Sequence, residues 1–333
     1  MAYSSVGRPR FYVSILQWLK SLGKLNGAES SPRLKGKSVL DLASINPTSQ
    51  ATFDGGGGDY TINFQSTVGN YKTLMPNDKN FFMVLGHEFG GNAIQFVTRT
   101  GASAHNWVAN SGLVNYSNTV GYTADYHGFS ISTGNDAHDD TFDTLQLLFT
   151  TYPADVVFKF GSVLYGTYWE PSHSPDLNLT MTREYGGIKT IETKGGSSLS
   201  NSFYRGSPSW GDLGAWELSD TILTPFAKSG RRVWDLSFSY LQQSDIFPEH
   251  SNLSDYGTDG MEHPFTDGTI LQSDDFYSQV IHKTQGLPFV FQPDGNNNDP
   301  DNFAIAKFDM NSFSFQQTAP SLYSCKMKIR EVW

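Results

Sequence analysis

From residue 36 onward, apolar side chains recur at every second position, and that period decides what the chain can fold into. Tyr60, Ile62 and Phe64 alternate with Thr61, Asn63 and Gln65, and Leu177, Leu179 and Met181 alternate with Asn178, Thr180 and Thr182. Trp234, Leu236, Phe238 and Tyr240 alternate with Asp235, Ser237 and Ser239, and Tyr323, Cys325, Met327 and Ile329 repeat the pattern near the end. Successive side chains of a strand point to opposite faces, so each run describes a strand with one face on a core and one in water. Strands that alternate this strictly belong to antiparallel sheets. Many short strands with turn-rich gaps place the chain in the all-β class, as antiparallel β-sandwiches of jelly-roll-like form.

One segment breaks this period. Phe11, Ile15, Trp18, Leu19 and Leu22 follow three-to-four residue spacing, with Pro9 at the entrance and Gly23 at the exit, and predict a short helix over 11–22. Such a helix either packs on its own domain or plugs a neighbouring subunit. Pro171 and Pro175 interrupt a polar stretch and mark a domain boundary. The expected organisation is an N-terminal helical arm (1–35), a first jelly-roll-like sandwich (36–170) and a second sandwich (171–333). Segments 103–125, 195–220 and 243–275 read as long loops of the kind that carry contacts or function.

Composition narrows the function classes. Aromatic residues make up 14% of the chain, too many for a disordered polymer. A formal net charge of −10 argues against a general nucleic-acid binder. No apolar run reaches the ~18 residues of a membrane-spanning helix, so no membrane insertion is expected. Cys325 is the one cysteine. It cannot form an intramolecular disulfide or supply a multi-cysteine metal centre, and its place in an alternating strand predicts a buried thiol. Met1 to Arg10 lacks the apolar stretch of a secretory signal, so the sequons at Asn115, Asn178 and Asn252 read as chance matches.

Catalytic motifs are weak. Gly86-His87-Glu88-Phe89-Gly90-Gly91 begins like a zinc-protease helix, but Gly91 stands where the second histidine belongs. His138, Asp139, Asp140 and Asp143, and likewise Asp294, Asp299 and Asp301, lack the spacing of a calcium loop and read as turns that bond their own backbone. There is no nucleophile elbow, and Ser31 occupies the first glycine position of a would-be phosphate loop ending at Ser38. No cofactor and no metal is therefore expected, and no enzyme activity. The aromatics at Trp107, Tyr116, Tyr122 and Tyr126, and at Trp210 and Trp216, fall in the expected loops and suit sugar stacking, interface anchoring or burial against the sandwich.

Several strings in the second half carry a resemblance. They are Ser172-His173-Ser174-Pro175-Asp176-Leu177-Asn178-Leu179, the run from Gly230 to Leu241, the run from Leu287 to Asp294, and the ending Ile329-Arg330-Glu331-Val332-Trp333. Together they resemble virion structural proteins of tailed bacteriophages, marine phages especially. In the first half, Phe82-Met83-Val84-Leu85-Gly86-His87-Glu88-Phe89 resembles the strand and turn of galactose-binding-type jelly rolls in phage proteins, with Glu88-Phe89 in place of Asn-Leu. The resemblance implies a virion component assembled in the host cytoplasm. That component is a ring-forming homo-oligomer of the distal tail, baseplate or fibre attachment, with other virion proteins as partners. On composition, Phe11, Ile15 and Trp18 of the predicted helix, together with Arg231 and Arg232, are the candidate subunit contacts. The alternatives are a receptor module that binds a host surface glycan, with His87, Asn106 and Trp107 near its loops, a capsid decoration or head-fibre protein, and a glycan hydrolase with two convergent carboxylates.

Overall fold

Alternation becomes pleated sheet along much of the described chain. The computed structural model describes residues 7–46, 49–54, 57–75, 79–87, 94–100, 103–106, 129–134, 142–152, 157–184, 190–200, 231–248, 271, 273–298 and 302–332. The first half contains β1 (Arg10–Ser14), α1 (Ile15–Ser21), β2 (Leu25–Glu29), β3 (Leu34–Lys35), α2 (Val39–Leu42), β4 (Ala51–Asp54), β5 (Gly58–Ser66), β6 (Asn80–Leu85), β7 (Ile94–Thr100), β8 (Ser103–Asn106), β9 (Phe129–Gly134), β10 (Thr144–Tyr152), β11 (Val157–Phe160) and β12 (Ser162–Trp169). The second half adds β13 (Thr180–Glu184), β14 (Thr190–Glu192), β15 (Ser198–Ser200), β16 (Arg231–Gln242), β17 (Phe289–Gln292), β18 (Ala304–Phe308), β19 (Phe315–Ala319) and β20 (Leu322–Glu331). Short helical turns occur at Gln243–Ile246 and along 277–284.

The main sheet runs in the order β13-β16-β20-β18-β17-β1-β12-β6-β9, with β19 added beside β20. A second sheet has the order β2-β5-β10-β7-β8, and smaller groups are β11-β4-β3 and the hairpin β14-β15. Every pairing among the described residues is antiparallel. The all-β class read from the alternation is the class observed.

The N-terminal segment differs from its expectation. Residues 11–14 are strand, and the helix begins only at Ile15, where the Ser14 hydroxyl accepts from the Gln17 amide at 3.4 Å. A short apolar run fits both periods, and here pairing decides. Phe11 lies opposite Trp169 on one side and Phe291 on the other, and Tyr12 lies opposite Tyr168 and Val290. The approach of β1 to β12 is close enough that a Cβ on Gly166 would stand 2.0 Å from the Val13 carbonyl oxygen. Gly23, at φ +67°, takes the left-handed conformation that ends the helix, as the sequence suggests.

The position of β1 joins the halves. On one side lie β12, β6 and β9, on the other β17, β18, β20, β16 and β13, so one sheet passes the expected 170/171 boundary without interruption. Tyr12, Phe81, Met83, Leu164, Val290 and Ile305 form a buried layer on one face, built from both halves. The opposite face is divided. Val84, Val163 and Tyr165 meet α1 and the second sheet in a core containing Phe53, Tyr60 and Phe149. Phe11, Val13, Trp169, Phe289 and Phe291 belong to another core with Trp234, Phe238, Phe276 and Tyr323. Gln17 adds a polar tie, donating to the Pro288 carbonyl at 2.9 Å and accepting from the Ile45 amide at 3.0 Å.

Because Phe11 is fully buried between both halves, Phe11→Ala is expected to lower the unfolding free energy by about 3–5 kcal/mol, read by urea denaturation. A loss below 1 kcal/mol would contradict the central placement of β1.

Candidate functional site

The residues singled out from sequence separate once placed. Phe11, Ile15 and Trp18 are buried inside this chain, so their apolar surface is already used and is not available to a second subunit. That corrects the expected interface role. Arg232 is also engaged internally: its guanidinium donates to both Glu331 oxygens at 2.8 and 2.9 Å and to the Phe303 carbonyl at 2.7 Å, and it lies over the Trp234 ring. Arg231 is exposed and stands opposite Glu184 in the register of β16 and β13. His87 is 3% exposed at the end of β6, too deep to face a ligand in solvent. Ser103–Asn106 is strand β8 rather than loop, and its register puts Asn106 in one cross-strand row with Val97, Gln146 and Asn63. Trp107 and the aromatics at 116, 122, 126, 210 and 216 lie outside the described residues.

Asn63 and Gln146 belong to a polar groove on the second sheet. Asn26, Asn63, Gln65, Asp143, Thr144 and Gln146 line about 330 Å³ there. The amides satisfy one another: Gln146 donates to Asn63 at 2.7 Å and Gln65 to Asp143 at 3.2 Å. This is the polar face that the alternation of Thr61, Asn63 and Gln65 in β5 predicts, with these two amide pairs bonded across it.

A different cleft combines exposed aromatic surface with oriented polar groups. It lies where the 171–176 segment passes the far end of β16, and it measures about 470 Å³. The register of β16 on β20 shifts between Phe238 and Leu241, so Ser239 and Tyr240 together stand opposite the single residue Ser324. Leu241 takes the buried position and Tyr240 is left 66% exposed. The sequence signal was the adjacent pair Tyr240-Leu241, which breaks the alternation. Ser239 donates to Asp176 at 2.7 Å and holds that carboxylate at the cleft wall.

His173, Ser172 and Asp245 meet in the same region. Ser172 Oγ donates to Asp245 Oδ2 at 2.6 Å and lies 2.8 Å from His173 Nδ1. A hydroxyl has one proton, so with that proton on the Asp245 bond the imidazole must donate through Nδ1–H. A nucleophilic triad needs the imidazole between the hydroxyl and the carboxylate. Here the hydroxyl stands in the middle, an order that orients His173 and does not activate Ser172.

Two buried ionisable groups occur near 277–284. Lys283 donates to Gln279 Oε1 at 2.6 Å and to the Leu271 carbonyl at 3.2 Å, and the same Gln279 oxygen accepts from Thr167 at 2.9 Å. Burial pushes the Lys283 ammonium down to about 7, against the pull of Asp275 and Asp274, and pushes the Asp275 carboxyl up to about 6. Both are almost wholly enclosed, and the Gln279 oxygen that Lys283 shares with Thr167 ties the second half to β12. Among the described residues, no group of three or more histidine, cysteine or acidic side chains is placed to hold a metal ion. Asp294 accepts from the Asn296 amide at 2.9 Å, the self-bonding turn expected of it. Cys325 is buried, as its strand position predicts. No described helix is long and apolar enough to cross a membrane.

The last feature is an edge. β13 ends the main sheet, and among the described residues its one strand partner is β16. Leu177, just before it, is 85% exposed, and Met181 is about half exposed. Ile191 and Leu199, opposite each other on the β14–β15 hairpin, are also exposed.

No known protein family, curated protein or solved structure matches this chain.

The buried lysine sets a measurable pH response. Between about 7 and its ordinary 10.5, the unfolded chain holds the Lys283 proton and the folded chain has released it, so stability rises with pH in that window. Asp275 acts oppositely between 3.8 and about 6, where the folded state keeps its proton longer and stability falls as pH rises. Lys283→Met is expected to remove the upward slope of the melting temperature between pH 7 and 10. Parallel curves for the two proteins would contradict it.

Proposed function

We propose that this chain is a non-enzymatic structural subunit of a bacteriophage particle, a ring-forming component of the tail that associates with its own copies and with other virion proteins. The reading rests on the phage-like strings of the second half and is supported above all by β13, which among the described residues is the last strand of the main sheet. A terminal strand presents unpaired N–H and C=O groups, and natural proteins usually protect such an edge with short strands, charges or a covering element. β13 is short and carries Arg183 and Glu184, yet Leu177 and Met181 beside them are exposed, as are Ile191 and Leu199 on the following hairpin. Apolar side chains around an open edge are costly in water and gain from being covered by a neighbour. The first and second halves share one sheet, which suits a part that must keep its shape while neighbours bind.

The contact surface of this reading is therefore the β13 edge, in place of the helix first suggested by sequence. Light scattering on the purified chain, from dilute to particle-like concentration, is expected to give a closed oligomer whose mass is a small multiple of one chain. Leu177→Lys combined with Met181→Lys is expected to weaken association at least tenfold, about 1.4 kcal/mol, while leaving the melting curve intact. A monomer at every concentration, or an oligomer indifferent to the two lysines, would count against this surface. Copy number per particle separates a tail ring from a capsid decoration.

A further inference from the structure

We propose that the cleft beside the bulge of β16 binds a neutral saccharide, with the Tyr240 ring as its stacking face and Asp176 and His173 as acceptors for its hydroxyls. The site adjoins the proposed oligomer contact, because Asp176 directly precedes Leu177, but it does not depend on the chain being a virion part.

Three observations converge. The first is shape: about 470 Å³ of concave space lies within the usual range of small-molecule sites, with Phe238 and Leu322 in its lining beside the polar groups. The second is the aromatic. Strict alternation would have buried position 240, but the bulge turns the tyrosine outward and gives the core position to Leu241. Bulges of this kind re-aim a side chain next to functional sites. A phenol ring with an open face offers the apolar half of a sugar-binding contact, because a pyranose presents C–H groups on one side and hydroxyls around its rim.

The third observation is the polar set. Ser239 holds Asp176 through Oδ2, which leaves Oδ1 to accept from a ligand hydroxyl. The relay from His173 through Ser172 to Asp245 places the imidazole proton on Nδ1, and Nε2 is then an acceptor. Two acceptors of fixed orientation beside an aromatic face select a ligand that donates hydrogen bonds. The Gln242 side chain lines the same cleft and extends its polar wall.

Charge decides the ligand class. The lining contains Asp176 and no lysine or arginine, Asp245 stands just behind His173, and the whole chain has a net charge of −10. Phosphorylated, sulfated and sialylated ligands would meet repulsion without a paired cation. A quaternary ammonium would favour several aromatic walls, and here one open ring faces the cleft. A neutral oligosaccharide matches every wall.

The test uses the full chain and saturation-transfer NMR with maltotriose, cellotriose and N-acetylchitotriose, together with sialyllactose and choline. One of the neutral trisaccharides is expected to bind with a dissociation constant on the order of 1 mM. Tyr240→Ala and Asp176→Ala are each expected to weaken that binding at least about tenfold. Ser239→Ala, which only releases the carboxylate, is expected to weaken it less. Lys24→Ala, on the exposed turn after α1, should leave it unchanged, and the mass of the oligomer should be the same for this variant as for Tyr240→Ala. Silence from all three neutral sugars would overturn the proposal. So would binding that survives Tyr240→Ala, or a response to sialyllactose or choline alone.

Discussion

Everything in this molecule depends on the backbone pairing of five residues, Arg10 to Ser14, with strands on both sides. As a central strand, β1 has partners on both edges: Phe11 to Ser14 pair with β12, and Arg10 to Tyr12 pair with β17. Its side chains then divide by parity. Phe11 and Val13 enter one core, and Tyr12 enters the layer on the opposite face, where its hydroxyl donates to Gln292 at 2.7 Å. The charged end is tied as well: Arg8 and Arg10 both pair with Glu170, and the Arg10 guanidinium lies over the Tyr168 ring. Removing this strand would leave two open sheet edges inside the protein.

The aromatic content acquires a location through this arrangement. Around Phe11, the rings of Trp169, Phe276, Phe289, Phe291 and Phe308 lie with centroids 5.1 to 6.0 Å away. Those rings come from four separate stretches of chain. A second cluster, Phe53 with Tyr60 and Phe149, fills the space under the second sheet. Buried rings contribute area and preferred edge or offset contacts, which suits a chain with no disulfide to stiffen it. The helical stretch 277–284 packs between these regions and brings its buried lysine against Gln279, so that one amide is shared by β12 and the second half.

Fold class was legible because alternation is a local signal. The strands at 60–65, 234–238 and 323–329 stand where the pattern put them. Long-range placement was not legible. Phe11 to Val13 fits a helical face and a strand equally well, and only the presence of Trp169 and Phe291 as neighbours decides between them. The same limit explains the misassigned contacts: Phe11, Ile15 and Trp18 are apolar residues near a chain terminus, and nothing local states that two halves close over them. Arg232 reads as a free cation in sequence but faces Glu331, 99 residues away, across the β16–β20 pair. Tyr240 was placed on the core face by its period, and the one-residue slip that turns it outward was visible only as two large residues in succession.

The middle position of β1 has a consequence for synthesis. This strand is made before both of its neighbours, one finished only at Trp169 and the other at Gln292. At about 5–20 residues per second, the second of these follows the first residues by tens of seconds or less. Throughout that interval Phe11, Tyr12 and Val13 have no completed slot to enter, and a nascent chain must keep an aromatic strand unpaired while the rest is made. Closure of the main sheet around β1 therefore waits until β17 has been made.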